Sequence, residues 1–198
     1  KIQSLKDLET IRQEYRKTLY RPDFTKVNIG MASCGLAAGA RASYDKAINA
    51  FPARHGIRIW QTGCIGFCQE EPLVEILEQG KPRVVYKHLT EDKICDAIKG
   101  YRDGHFDKKL ILGQIRDPRC LLEETVDNPV HTVAPLEGIP FIEDIPFYNR
   151  QVKIALRNCG YIDPDSIEEY MAREGYSAFI DALFRMKPEE IITIIKKS

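Results

Sequence analysis

An α/β fold, a small sheet flanked by helices and followed by a long linker and a short helical segment, is predicted by three observations. Between residues 24 and 100, short runs of alternating apolar residues exchange with runs of helical period. The stretch Gln61-Thr-Gly-Cys64-Ile-Gly-Phe-Cys68-Gln-Glu-Glu-Pro72 is a glycine-containing turn with one strand-like run entering it and another leaving it. A proline-punctuated interval over 101–146 then separates this part from a C-terminal stretch whose apolar residues recur three and four apart.

Taken in order, Ser4 with Asp7 and the apolar set Leu5, Leu8, Ile11 and Tyr15 predict a capped amphipathic helix to about Tyr20, stopped by Pro22. Val27, Ile29 and Met31 alternate as a short strand. Ala32-Ser-Cys34-Gly35 reads as a turn, and the alanine-rich run from Leu36 to Phe51 as a helix despite Gly39. Ile57 and Ile59 begin the next strand, which ends at the two-cysteine turn. Leu73–Leu77 and Arg83–Lys87 flank Glu78-Gln-Gly-Lys-Pro82, a hairpin in which Gly80 supplies a positive φ. Thr90 is expected to cap a helix with Ile94, Ala97 and Ile98 inward, closed by Gly100.

The predicted organisation is a helix over 1–23, a sheet domain over 24–100, an extended linker over 101–146 and a helical part over 147–198. The linker assignment rests on Pro118, Pro129, Pro135, Pro140 and Pro146, because a structureless segment of that length is unusual inside one compact domain. In the last part four short helices are expected, the first through Val152–Leu156 with Asn158-Cys-Gly160 at its end. None carries a catalytic-looking cluster, which suits a docking or scaffold element.

With 29 basic and 29 acidic side chains among 198 residues, no net field draws the chain to nucleic acid or anionic lipid. No apolar run of about 18 residues exists to span a bilayer. The amphipathic N-terminus does not read as a signal peptide, so a cytoplasmic location without membrane insertion is expected. The run Ile-Ile-Lys-Lys-Ser198 leaves no tail after a helical pattern, and the expectation is a piece of something longer.

Six cysteines, at 34, 64, 68, 95, 120 and 159, do not space like a secreted disulfide framework. Cys34 follows one strand and Cys64 and Cys68 follow another. If those strands are parallel neighbours, all three thiols meet at one edge of the sheet, where N–H groups of Gly35, Gly63 and Gly66 can face a cluster's sulfides. Cys95 and Cys159 read as core or cap thiols. His55, His88, His105 and His131 show no zinc-site spacing with the cysteines, and Glu70 and Glu71 read as a solvated rim. The glycines match no dinucleotide fingerprint.

Val27-Asn-Ile-Gly-Met-Ala-Ser-Cys34-Gly-Leu-Ala-Ala-Gly-Ala-Arg41 and Gln61-Thr-Gly-Cys64 through Pro72-Leu-Val74 resemble the thioredoxin-like [2Fe-2S] ferredoxin domain at the front of NADH-binding flavoprotein subunits. Such subunits occur in NAD-dependent hydrogenases, formate dehydrogenases and electron-bifurcating complexes, and are similar to the NADH-oxidising subunit of respiratory complex I. Leu156-Arg-Asn-Cys-Gly-Tyr-Ile-Asp-Pro164, Tyr170–Tyr176 and Met186–Ile191 resemble the lead-in to the flavin core of that family. The resemblance implies a redox-complex subunit with Cys34, Cys64 and Cys68 as ligands of a [2Fe-2S] cluster. For sequence beyond Ser198 it implies FMN, NAD(H) and [4Fe-4S], with other subunits of the complex as partners. One departure bears on the cluster: the family's first ligand cysteine falls on Ile29, which cannot bind iron. A cluster-free scaffold that docks partner subunits is the alternative, and Cys120 is a conceivable stand-in ligand. An independent thioredoxin-like redox protein is disfavoured, because no Cys-x-x-Cys pair exists.

Overall fold

A computed structural model of the protein describes residues 4–20, 22–52, 56–116 and 133–198. The elements are helix α1 (Leu5–Tyr20), strand β1 (Thr25–Gly30), helices α2 (Ser33–Ala37) and α3 (Ala40–Ala50), strands β2 (Ile57–Thr62), β3 (Val74–Leu77) and β4 (Arg83–Tyr86), helix α4 (Glu91–Asp103), strand β5 (Ile111–Ile115), and helices α5 (Pro146–Asn149), α6 (Ile167–Ala172), α7 (Ser177–Phe184) and α8 (Pro188–Lys197). The strands lie in the order β2-β1-β3-β4-β5. β1 and β2 are parallel, with Ile29 opposite Gln61, and every other neighbouring pair is antiparallel. A βαβ unit followed by a hairpin and a helix, joined in this order, is the thioredoxin-like arrangement.

Most element signals act as read. The Asp7 N–H donates to Ser4 Oγ at 3.2 Å and the Ser4 N–H to Asp7 Oδ2 at 3.0 Å, a reciprocal cap that starts α1. Gly80 turns the hairpin with φ 81°. Other expectations are corrected. Thr90 stands at the start of α4, but its hydroxyl donates to Asp92 rather than accepting a helix N–H. α4 runs past Gly100 to Asp103 and ends at Gly104, with φ 76°, while Gly100 is needed because a Cβ there would lie 2.7 Å from the His105 carbonyl oxygen. Residues 152–156 form no helix, passing from irregular backbone into turns at Ala155, with Val152 and Ile154 largely exposed. Residues 111–115, placed in the linker by sequence, form β5 and pair with β4. The middle of that interval, with Pro118, Cys120, Pro129 and His131, lies outside the described residues, as does His55.

The two faces of the sheet are covered differently. On one, Val27, Ile29, Val74, Ile76, Val84 and Tyr86 pack against Ala40, Ala47, Ile94, Ile98 and Tyr101 of α3 and α4 in an apolar core. The other face carries Lys26, Asn28, Glu75 and Arg83, which an isolated strand would turn to water; here residues 139–173 cover it. Lys26 Nζ reaches Glu169 Oε1 at 2.7 Å with both side chains buried, Asn28 donates to Glu75, and Arg83 pairs with Glu75. α6 lies on α1, with Leu8, Leu19, Met171 and Ala172 buried. Arg173 ties the pair together, donating to Tyr20 Oη at 2.8 Å and to Asn158 Oδ1 at 3.0 Å. No described helix is long and apolar enough to cross a membrane.

Candidate metal centre

Because β1 and β2 are parallel neighbours, their C-terminal ends open on the same rim. β1 leads into α2, which carries Cys34 in its first turn, and β2 leads into the 64–68 turn. The Sγ atoms of Cys34, Cys64 and Cys68 lie within 4.8 Å of one another, with those of Cys64 and Cys68 3.5 Å apart. Gly66, with φ 98°, turns its N–H onto Cys64 Sγ at 3.2 Å. Phe67, between the two thiols, is buried against Ile142 and stacks on Tyr148 with ring centroids 5.7 Å apart, so core packing anchors the turn.

Burial and hydrogen bonding to the other two thiols push the Cys34 thiol up to about 12, and the hydrogen bond with Cys64 raises Cys68. Three thiols held this close resist ionising together, since each thiolate disfavours the next; a cation at the centre reverses that preference. Such a group is a soft-metal donor set, suited to iron–sulfur or zinc chemistry.

The approach of α2 to β1 depends on glycine. A Cβ on Gly35 would lie 2.2 Å from the Gly30 carbonyl oxygen, so no side chain fits unless the helix shifts. Gly35→Ala is therefore expected to cost about 1–3 kcal/mol, read as a lower urea midpoint at unchanged slope; a wild-type midpoint would contradict this packing.

Glu71 is the residue that sequence reasoning misplaced. It is buried, not a solvated rim group, and Glu70 beside it pairs with Lys87 and lies 3.1 Å from His88 Nε2. The Leu73 N–H donates to Glu71 Oε2 at 2.7 Å, and the Cys34 thiol donates to Oε1 at 3.5 Å. Burial raises the pKa of this carboxyl against the lowering effect of both hydrogen bonds. Nothing in Gln69-Glu-Glu-Pro72 marks the second glutamate as interior.

Cys159 sits close by. Its sulfur would lie 2.8 Å from a Cβ on Gly63, but it does not join the three-thiol group. Lys153 donates to the Ile65 carbonyl at 2.5 Å and lies 3.8 Å from the centre of the Tyr148 ring; burial brings it down to about 8 against the raising pull of Cys64 and Cys159. Cys95 packs against the apolar core. Ile29, where the first family ligand was expected, is completely buried on the α3/α4 side of the sheet. A cavity of about 40 Å³ behind the rim, lined in part by Asn28, Thr62, Glu71, Glu75 and Cys159, has room for a water or two and not for a flavin or dinucleotide.

A small mixed sheet of this topology, with three thiols gathered beyond the parallel pair, defines a thioredoxin-like domain. No family model matches the chain. It is 32% identical over 105 residues to the NADP-reducing hydrogenase subunit HndB of Solidesulfovibrio fructosivorans, spanning 50% of this chain and 82% of that one, and it belongs to that family. It is also 45% identical over 49 residues to NADP-reducing hydrogenase subunit HndC of the same organism, across 25% of this chain and 10% of HndC. Among solved structures, a thioredoxin-like [2Fe-2S] ferredoxin from Aquifex aeolicus covers 48% of this chain and 96% of its own at 17% identity, with a TM-score of 0.41.

Proposed function

We propose that this chain is an electron-transfer subunit of an NAD(P)-dependent, hydrogenase-type redox complex, with Cys34, Cys64 and Cys68 holding a [2Fe-2S] cluster. The observation that carries the reading is the convergence of three sulfurs within 4.8 Å at one rim of the sheet, in a member of the HndB family. A bound cluster of this type supplies one-electron chemistry between two adjacent iron oxidation states. The chain's own groups orient and tune it. Gly66 aims an N–H at Cys64 Sγ, Phe67 anchors the turn, and Lys153 brings a partly buried cation beside Cys64; positive charge and N–H donors both favour the more negative, reduced state.

The nicotinamide, FMN and [4Fe-4S] chemistry belongs, on this reading, to parts of the complex beyond these residues, and electron bifurcation is a property such a complex can carry. A cytoplasmic setting fits such a complex. Exposed apolar side chains on α7 and α8, including Phe179, Phe184 and Ile195, favour docking to partner subunits.

The test is anaerobic reconstitution of the chain with iron and sulfide, followed by metal and acid-labile sulfide analysis and electron paramagnetic resonance of the reduced sample. Two irons and two sulfides per chain, with a spin-one-half signal on reduction, are expected. Ile29 at the first family ligand position favours a second reading, a cluster-free scaffold that docks partners; correctly folded chain that retains no iron after desalting would decide for it.

A further inference from the structure

We infer that Glu71 is the fourth protein donor of this metal centre, its carboxylate taking the role that Ile29 cannot fill. The inference rests on the reading that the three thiols hold a metal. Two irons bridged by sulfide need two protein donors each. With tetrahedral bonds of about 2.3 Å to sulfur and about 2.0 Å to oxygen, two sulfurs on one metal stand about 3.8 Å apart, and a sulfur and an oxygen about 3.5 Å. Cys64 and Cys68 are 3.5 Å apart, and Cys34 Sγ is 3.5 Å from Glu71 Oε1. Cys64 with Cys68 and Cys34 with Glu71 are thus each spaced to share one ion, and Cys34 Sγ lies within 4.8 Å of the other two sulfurs, close enough to bring the two pairs onto one centre.

The surroundings of the carboxylate are those of a ligand. Oε2 is held by the Leu73 N–H at 2.7 Å, which leaves Oε1 directed at Cys34, as a monodentate donor with its second oxygen fixed by an outer hydrogen bond requires. The slot it occupies exists because residues 30 and 35 are glycines: Cβ atoms there would lie 3.2 Å and 3.3 Å from Oε2. A buried carboxylate is costly without a cation, and among the described residues the nearby Lys87 pairs with Glu70 instead. A metal supplies the missing positive charge. Cys159 is the competing candidate, but its sulfur lies against Gly63 and makes no described bond to any of the three thiols. On binding, each thiol and the carboxyl bind as anions and release their protons to solvent.

The experiment compares the reconstituted full chain as wild type, Glu71→Gln, Glu71→Cys and Cys159→Ser, reading iron and sulfide retained after desalting, circular dichroism and the Mössbauer spectrum of ⁵⁷Fe-loaded samples. Glutamine keeps an acceptor for the Leu73 N–H but is a poor ligand, so Glu71→Gln is expected to retain at least tenfold less iron at unchanged circular dichroism. Glu71→Cys is expected to recover it and to make the two unequal iron sites of the wild type alike; Cys159→Ser is expected to match wild type. Wild-type iron content and spectrum in Glu71→Gln would overturn the inference, as would failure of Glu71→Cys to regain iron, or loss of iron in Cys159→Ser alone. Wild type holding metal without equimolar sulfide would instead overturn the two-iron reading and leave the Glu71 comparison decisive, whereas wild type holding no metal would overturn both.

Discussion

Replacing Cys68 by serine is expected to leave the reconstituted chain with less than a tenth of the wild-type iron and no paramagnetic signal on reduction, and Cys64→Ser is expected to do the same. The two sulfurs stand 3.5 Å apart on one turn, so losing either removes half the donors of one ion. A serine oxygen is a harder and less readily ionised donor than a thiolate, and so a poorer ligand for an iron–sulfur centre. The turn itself should survive, because Phe67 and its contacts with Ile142 and Tyr148 are untouched. Loss of iron at an unchanged unfolding midpoint of the metal-free protein is therefore the expected pair of results. Wild-type iron content in both variants would show that these sulfurs are not ligands.

The second large effect concerns the buried pair across the sheet's polar face. Glu169→Ala is expected to destabilise the chain by about 3–5 kcal/mol, since it strands the Lys26 ammonium with no carboxylate beside it. That corresponds to a fall in melting temperature on the order of 10 °C for a chain of this size. Glu169 also accepts from the Asp163 N–H at 2.7 Å, so the entry to α6 loosens at the same time. The Trp60 ring, 4.7 Å from Lys26 Nζ, softens the loss without replacing an anion. Replacing both partners by apolar residues, Lys26→Met with Glu169→Leu, is expected to recover most of the stability, because neither charge then needs desolvating. Thermal and urea unfolding read both. A Glu169→Ala midpoint within about 1 kcal/mol of wild type would mean that α6 does not seal this face.

Much of the site was legible before any coordinates. Strand, turn, helix around Cys34 and strand, turn, strand around Cys64 and Cys68 followed from period and glycine placement, and parallel pairing of the two strands was the condition for the sulfurs to meet. Glu71 was not legible, because its burial depends on Gly30 and Gly35, some forty residues earlier. β5 was hidden for a related reason. Ile111-Leu-Gly-Gln-Ile115 is short and lies in a proline-punctuated interval, and what makes it a strand is the unpaired edge of β4, which the local sequence does not contain.

Local chemistry, then, was enough to determine most of the elements up to α4 and the thiol spacing: the Ser4–Asp7 cap, the Gly80 hairpin and cysteines poised after two strands all act within a few residues of themselves. Packing alone decided that Lys26, Asn28, Glu75 and Arg83 face an interior rather than water, that Ile29 belongs to the core, and that a carboxylate stands beside the thiols. Those outcomes turn on which distant segments exclude solvent from a surface. Alternation along a strand reports that a face is polar, but not what will come to cover it.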